Sequence, residues 1–515
     1  MPVGLSTLIV VEEDHRGVVD ALTDLDFRFE TATPESVTVL DTFDGRFHRN
    51  GLWLTLHEGQ QLAIVLDGDD VVATGIEPTK APRFVRDLAP GPFRSRLEAI
   101  ADVRALLPQL RISATRTMAV CRDDEGRVVA TAVFLEHPVT DQATATSTLP
   151  ALVIEVRDVI GARKSARRAV EALENLGLVA IDGRALTYIA GIAGVDLGGY
   201  VSSATVPLDS AMPAAEGVRH VLVNLADSIE ANWQGTVDHV DPEFLHDLRI
   251  AVRRTRSVIT QTTRVLPPHV VSEAADGFGW LGGLTGPARD LDVYLIEWDD
   301  YVRPLGATAT AALAPIRGLL EQRQAAAHAT LDNAMSSAAA AALMQRWRSQ
   351  LAEIASHEHQ GPHAARPLGQ VVRRRITRAQ EKLIDRGRLI TPDTPAERVH
   401  DLRKDAKKLR YLLECFGSLL ADGPRKQFVK RLKALQDNLG EHQDAEVHVA
   451  LIREIASDLH EKAATTDTLL ALGQLMERLE QIRIAARAEF AEQFANYDTS
   501  ATEHAFAAML DFLDS

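Results

Sequence analysis

HDLRIAVRRTR at residues 246–256 is the stretch that decides the fold, because the chain repeats it. A second version, HDLRKDAKKLR, begins at residue 400 instead of 246, an offset of 154 residues. The same offset aligns GPARDLDV at 286–293 with GEHQDAEV at 440–447 without a gap. Two motifs that share one order and one spacing indicate an internal duplication.

From about residue 212 the sequence has helical periodicity and is rich in Ala, Leu, Glu, Gln and Arg. We therefore expect an all-α domain over 206–515. It should consist of two copies, at about 212–345 and 366–515, that pack as pseudo-symmetric partners. A stretch that contains Gly, Ser and Pro at 194–210 separates this half from the rest.

Residues 1–205 have a different pattern, in which short β-branched or alternating segments are separated by Asp- and Gly-containing turns. This pattern predicts an α+β domain with a mostly antiparallel sheet. One helix is expected at 164–178, with Ala169, Leu173 and Leu176 at helical spacing. The predicted strands are 7–11, 37–40, 51–56, 61–66, 70–76, 127–134 and 151–156.

As a helix, the repeated stretch places its histidine and three of its cations on one stripe. At about 100° per residue these four positions fall within an arc of about 80°, and apolar residues lie on the opposite side. The stripe is His246, Arg249, Arg253 and Arg256 in the first copy, opposite Leu248, Val252, Thr255 and Ile259, and His400, Arg403, Lys407 and Arg410 in the second, opposite Leu402, Ala406, Leu409 and Leu413.

The stripe is either a solvated charged face or a binding site for an anion. Solvated helix faces usually mix charge signs at i,i+4 spacing, because like charges there cost a few tenths of a kcal/mol. Arg249–Arg253 and Arg403–Lys407 are like-charge pairs at that spacing, and both copies keep the pattern. Guanidinium and ammonium groups suit phosphate oxygens, so we favour the binding site.

The two equivalent histidines could be metal ligands or anion contacts. Cations and no carboxylate share their stripe, which disfavours a dication. The acidic residues of the second motif are expected to pair with the basic stripe or to cap helices, and Arg289 and Gln443 are further candidate contacts. These acidic residues are Asp290, Asp292, Asp444 and Glu446.

Composition limits the remaining classes of protein. The net charge of −16 over 515 residues argues against a general nucleic-acid coat, and no aromatic residues interleave the basic stripe for base stacking. The two cysteines, Cys121 and Cys415, form no metal or disulfide motif and fit a reducing cytoplasm. No signal peptide or transmembrane run is evident, so we expect a cytoplasmic protein with neither a membrane nor a specific nucleic acid as partner.

The duplicated HxxR…RR helix and the RDxDV-type segment resemble the CHAD domain, the conserved-histidine α-helical domain, over roughly 210–515. This resemblance implies two pseudo-symmetric four-helix units around a basic surface that binds inorganic polyphosphate, in cells often at polyphosphate granules. Arg374, Arg378, Lys430 and Lys433 lie in flanking basic segments and are further candidates. The matching residues are His246, Arg249, Arg253, Arg254 and Arg256, and His400, Arg403, Lys404, Lys407, Lys408 and Arg410.

The N-terminal half resembles the CYTH family of triphosphate tunnel enzymes, in TVLDTFDGRFHRNGLWLTLHEG at 38–59 and in the segment 111–134. That family opens with ExExK, which holds a divalent metal and phosphate, whereas this chain has IVVEEDH at 9–15. Adjacent carboxylates in a strand point to opposite faces. Glu13 and Glu155 remain the candidate metal ligands, and Arg116 is near an expected phosphate position.

Two functions therefore compete. The first is a polyphosphate-binding protein with a catalytically inactive CYTH-like domain, no catalytic residues and no cofactor. The alternative is a triphosphatase dependent on Mg²⁺ or Mn²⁺, to which the helical half delivers polyphosphate. Because phosphoryl transfer needs convergent cations and a held metal, and most of both are missing from the motif, we favour the first.

Overall fold

A computed structural model describes residues 6–11, 16–57, 61–66, 71–73, 82–136, 152–159, 163–181, 185–195, 197–201, 205–355, 361–461 and 465–513. The chain divides into two compact units, Met1–Val201 and Ser202–Ser515. The predicted order of an antiparallel β-rich part followed by an all-α part is confirmed.

The first unit is built on one curled antiparallel sheet. In the described residues its strand order is β10-β1-β9-β8-β7-β3-β4-β5-β6, and β2 pairs with β7 off this path, so the sheet is an open half-barrel. The strands are β1 Ser6–Val11, β2 Phe27–Phe29, β3 Thr33–Asp41, β4 Leu52–His57, β5 Gln61–Leu66, β6 Val71–Ala73, β7 Leu107–Arg122, β8 Val128–Glu136, β9 Leu152–Asp158 and β10 Val179–Ile181.

All seven predicted strands are present, at β1, β3, β4, β5, β6, β8 and β9. The longest strand, β7, did not stand out in the sequence. Its burial follows no simple alternation, because it pairs with β3 along its first part and with β2 and β8 along its second. A strand that changes partners along its length lacks the clean period of two that sequence patterns detect.

Five α-helices lie in the described residues of this unit. Val18 and Leu22 of α1 and Ala169 and Leu173 of α4 pack on the sheet in one core cluster. The predicted helix at 164–178 is correct in place but too long, since α4 ends at Glu174 and the following Gly177 has φ of 84°. The helices are α1 Arg16–Thr23, α2 Arg46–Arg49, α3 Pro92–Ala101, α4 Arg163–Glu174 and α5 Ala185–Ile192.

A left-handed glycine after the last turn ends a helix readily, because it lacks the Cβ that makes this conformation costly. Leu176 therefore lies beyond the helix, where it is 48% exposed. The prediction that the helix includes Leu176 is wrong, and the stop signal is the glycine that follows this residue.

In the described residues of the second unit, helices joined by loops are the regular elements. No described helix has both the length and the hydrophobicity that crossing a bilayer requires. The helices are α6 Ala214–Val237, α7 Pro242–Gln261, α8 Pro268–Val302, α9 Ala307–Ala312, α10 Ala314–Met335, α11 Ala338–Ala355, α12 Leu368–Gly387, α13 Ala396–Cys415, α14 Asp422–Glu461, α15 Thr466–Tyr497 and α16 Ser500–Leu510.

The 154-residue offset of the sequence recurs in the helix boundaries. The helices α6, α7 and α8 begin at 214, 242 and 268, and α12, α13 and α14 begin at 368, 396 and 422. Residues at equivalent positions also meet: Pro213 forms an isolated antiparallel bridge with Pro367, and the ring of Tyr294 stacks on that of His448 at 4.1 Å. Contacts between equivalent residues are expected on the axis of a pseudo-twofold arrangement.

The apolar faces of α7 and α13 are buried as predicted. Leu248 and Leu402 have no exposed surface, and the same holds for Val252 and Leu409. These side chains belong to one core cluster that includes residues of both copies. Burying them fixes the rotation of each helix, and this rotation determines where its basic stripe points.

Candidate anion-binding cleft

The two basic stripes face one cleft with a volume of about 460 Å³. It lies between α7 and α8 of the first copy and α13 and α14 of the second, and most of its lining consists of residues 154 positions apart. The lining is His246, Arg249, Ile250, Arg253, Arg289, Asp290 and Val293 from the first copy, and His400, Arg403, Lys407, Gln443, Asp444, Val447 and His448 from the second.

Two equivalent ion pairs hold the arginines in place. A guanidinium nitrogen of Arg249 lies 3.6 Å from Oδ1 of Asp290, and that of Arg403 lies 2.9 Å from Oδ1 of Asp444. The expected pairing of these aspartates with the stripe is confirmed. Both arginine side chains are about one-fifth exposed, and both aspartates are more than half exposed. The carboxylates therefore orient the arginines and leave the inner surface of the cleft cationic.

Glycines on α8 make room for the arginines of α7. A Cβ at Gly286 would lie 3.2 Å from Nη1 of Arg249, and one at Gly282 would lie 2.9 Å from Nη1 of Arg256. Arg249 also donates a 3.4 Å hydrogen bond to the carbonyl oxygen of Gly282. These glycines were not among the predicted site residues, although the GxxxG spacing at 282–286 was the available signal.

Lys407 is the most strongly perturbed cation of the cleft. Burial, and then the charges of Arg253 and Arg403, lower the pKa of this half-buried ammonium group to about 7. Burial also lowers the pKa of Arg249, against the attraction of Asp290. The cleft desolvates its cations and places like charges side by side, and both effects raise the free energy of the charged forms.

The histidines differ in their surroundings. Nδ1 of His400 hydrogen-bonds the side-chain amide oxygen of Gln443. That oxygen can only accept, so Nδ1 carries a proton and Nε2 is left for a ligand. His246 lies at the equivalent place in the cleft lining. His448 was not predicted, and burial lowers the pKa of its imidazole to about 4, so it is neutral at physiological pH.

Several predicted residues lie outside this cleft. Arg254 and Arg410 both bind Glu414, at 2.7 and 2.6 Å, beside a separate pocket of about 270 Å³. Burial acts to lower the pKa of Arg254, but Glu414 raises it above its ordinary value. Arg254 follows Arg253 by one residue, or about 100° of rotation, and therefore faces the neighbouring helix.

The remaining predicted lysines do not line the cleft, and all but the half-buried Lys408 are exposed. Lys404 lies 3.3 Å from Asp401, and Lys408 lies 4.0 Å from Asp405. Lys433 lies 3.9 Å from Asp437, and Lys430 is exposed on the same helix. Arg374 and Arg378 line a different, smaller cleft.

Two of the four acidic residues that were predicted to pair with the basic stripe or to cap helices, Asp292 and Glu446, have other partners. Asp292 is buried and accepts hydrogen bonds from Gln324 at 2.7 Å and His328 at 2.8 Å, so it does not serve the basic stripe. Glu446 accepts from Gln443, at 3.3 Å. In a helix, Asp292 points about 200° away from Asp290, and this rotation places it against α10.

Of the two candidate metal ligands of the first unit, only Glu155 lies in the described residues. Glu13 lies outside those residues, and Glu155 accepts a 2.8 Å hydrogen bond from Arg157 on the same strand. Arg116 lies 3.7 Å from Glu35, which also contacts His57 at 3.2 Å. Among the described residues, no group of three or more His, Cys, Asp or Glu side chains could hold a metal ion.

The molecule is thus a two-unit protein in which a duplicated helical bundle encloses a cationic cleft. Residues 221–453 match the family model of the CHAD domain. This match lies within the helical unit, in the part of the chain whose motifs resemble the CHAD domain. No curated protein matches the chain.

Solved structures provide three comparisons. The CHAD domain from the plant Ricinus communis is 25% identical, with a TM-score of 0.48, over 57% of this chain and 95% of its own. PptA from Streptomyces chartreusis is 20% identical, with a TM-score of 0.45, over 55% of this chain and 99% of its own. The PH1819 protein from Pyrococcus horikoshii OT3 is 10% identical, with a TM-score of 0.24, over 36% of this chain and 96% of its own.

Proposed function

We propose that this protein binds inorganic polyphosphate in the cleft between α7 and α13. The observation that carries the proposal is the unbalanced charge of the cleft lining. Five arginine and lysine side chains line it against two aspartates, and those aspartates are the more exposed partners of their ion pairs. The CHAD match fits a polyphosphate-related protein.

The physical case rests on what an anion would change. Lys407 and Arg253 lie in the cleft, and among the described residues neither has a carboxylate within 4.0 Å. Phosphate oxygens would supply the missing counter-charges and raise the depressed pKa of Lys407 towards its ordinary value. Charge-assisted hydrogen bonds of this kind contribute about 1.5–3 kcal/mol each.

The linear shape and repeated charge of polyphosphate match the arrangement of the cations. The cations come from three helices, α7, α8 and α13, and from both copies, so they form an extended lining and not one point site. A chain of phosphates can contact several of them together, and each added contact then has a smaller entropic cost than the first.

The test is a calorimetric titration of the full-length protein with polyphosphate of defined length. The variant Arg253→Gln/Lys407→Met should bind at least about 100-fold more weakly, because two charge-assisted contacts are removed. The control Arg303→Gln/Arg346→Gln removes two exposed cations of the same unit and should bind within about twofold of the parent chain.

Equal affinities of the cleft variant and the control would refute the proposal. Released phosphate should be measured on the same samples with Mg²⁺ and Mn²⁺ present, since the triphosphatase alternative requires release above that of a buffer control.

A further inference from the structure

A second cleft of the helical unit is lined by several arginines and, among the described residues, by no carboxylate. Its volume is about 50 Å³, and its lining is Arg264, His363, Arg366, Gln370, Val371, Arg374, Arg375 and Arg378. Within the described part of the chain, none of its five arginines lies within 4.0 Å of an Asp or Glu oxygen. Further along the same helix, Lys382 and Arg386 do pair, at 2.8 and 2.7 Å, with Asp405.

Backbone hydrogen bonds hold these cations together. The amide of His363 donates to the carbonyl oxygen of Arg264 at 2.8 Å, and the carbonyl oxygen of Arg366 accepts from Ala214 at 2.8 Å. Gly361 packs so closely that a Cβ there would lie 2.4 Å from the carbonyl oxygen of Arg264. The loop before α12 is therefore fixed beside the end of α7, and the positions of the charges are pre-organised.

The like charges of this cleft repel one another. Burial lowers the pKa of Arg375, and the charges of Arg378, Arg374 and Arg264 lower it further. Desolvation, and then Arg366 and Arg264, lower the pKa of the His363 imidazole. A protein with a net charge of −16 has many carboxylates, yet none of the described ones neutralises this cluster. Such an arrangement is stabilised when an anion supplies the opposite charge.

The fold does not require this cluster. At the positions 154 residues earlier, where the first copy has the equivalents of Arg374, Arg375 and Arg378, the residues are His220, Val221 and Asn224. Beside Val221 and Asn224, Arg254 of the first copy and Arg410 of the second both pair with Glu414. The unneutralised cluster is therefore a feature that one copy has and the other lacks.

We propose that this second cleft, referred to as the Arg375 cleft, is a separate binding site for a single phosphate group. Its volume is about one-ninth of that of the main cleft, which suits one tetrahedral oxyanion with a few waters and not a run of chain. The first two amides of α12 already donate to Met212 and Ser210, so the arginine side chains supply the donors. The phosphate group comes either from a small phosphate or from the end of a polyphosphate chain.

The experiment measures pyrophosphate binding to full-length protein by calorimetry. In the main-cleft variant Arg253→Gln/Lys407→Met, binding of pyrophosphate at the Arg375 cleft should persist. Added to this main-cleft variant, the exposed pair Arg374→Gln/Arg378→Gln should weaken pyrophosphate binding at least about tenfold, and the control pair Arg303→Gln/Arg346→Gln should leave it unchanged within about twofold.

Equal pyrophosphate affinity of the Arg374→Gln/Arg378→Gln variant and the control would overturn the inference, as would complete loss in the main-cleft variant alone. Polyphosphate with free ends and polyphosphate with both ends esterified then distinguish the two sources. Only a site for chain ends loses affinity when the ends are blocked. Because pyrophosphate is titrated into the main-cleft variant, this result is independent of whether the main cleft binds polyphosphate.

Discussion

At the scale of single residues, Lys407 shows how the cleft differs from an ordinary charged face. Arg253 and Arg249 of α7, Arg403 of α13 and Asp444 of α14 face its ammonium group. Three of these four neighbours are cations, and the group is half-buried. A lysine that served only solubility would extend into water. Holding a charged ammonium group among three cations is unfavourable, and an anionic ligand would offset this electrostatic free energy.

Replacing Lys407 by methionine should therefore stabilise the protein in the absence of ligand while lowering its affinity for the anion. Below a pH of about 7, both the folded and the unfolded chain hold the Lys407 proton, and the folded state bears the full cost of the buried charge. Between about 7 and 10.5 the unfolded chain keeps a proton that the folded protein has lost, so stability rises with pH across this window.

We expect Lys407→Met to raise the free energy of unfolding by about 1 kcal/mol at pH 6, because solvent screening reduces the effect at a half-buried site. The gain should shrink as the pH approaches 10. Urea unfolding at pH 6 and pH 9.5 measures this difference. A loss of stability at pH 6 would mean that Lys407 has a structural role.

At the scale of elements, close helix contacts fix the rotation of each stripe. Helix α6 approaches α7 at Gly235, where a Cβ would lie 2.2 Å from the ring of Phe244. Phe244 is buried at the start of α7, so its ring cannot move aside. Gly283, on α8, has no atom within 4 Å of the place where a Cβ would stand.

The two glycines should therefore respond in opposite ways to alanine. Gly283→Ala should stabilise the protein by about 0.5–1 kcal/mol, because alanine is the better helix former. Gly235→Ala should destabilise it by about 1–3 kcal/mol, because overpacking exceeds the gain in helix propensity. Thermal unfolding of both variants gives the comparison, and stabilisation of both would show that the α6–α7 contact adapts.

At the scale of the whole molecule, the two clefts are locally cationic although the protein has a net charge of −16. The overall charge repels polyanions at a distance, and attraction begins only within about a Debye length of the clefts, roughly 10 Å at 0.1 M salt. Binding is therefore expected to be confined to these sites and sensitive to ionic strength.

Polyphosphate affinity should fall steeply as salt rises. By analogy with single-stranded nucleic acid, each neutralised phosphate contributes a slope of about −0.7 to log K against log salt. The five arginine and lysine side chains of the main cleft then give a slope of about −3 to −4. Titrations between 50 and 300 mM NaCl measure the slope, and Arg253→Gln/Lys407→Met is expected to make it shallower by about 1.4. An affinity independent of salt contradicts cationic recognition.

Much of this protein was predictable from its sequence because helical and strand periods are local properties. The seven strand segments, the change to a helical half and the burial of Leu248 and Leu402 all follow from spacing. The duplication was detectable because two motifs kept one offset, and the same offset recurs in the helix boundaries. The pairing of Arg249 with Asp290 and of Arg403 with Asp444 was expected on the same basis.

Only the tertiary structure decided which cations share a cleft. Arg253 and Arg254 are neighbours in sequence, yet one lines the main cleft and the other binds Glu414. Arg264 and Arg375 are 111 positions apart in the numbering, and the loop before α12 brings them together. The sequence determines the charge that each helix face carries, whereas the depth of burial, the nearest opposite charge and the partner face depend on how distant segments pack.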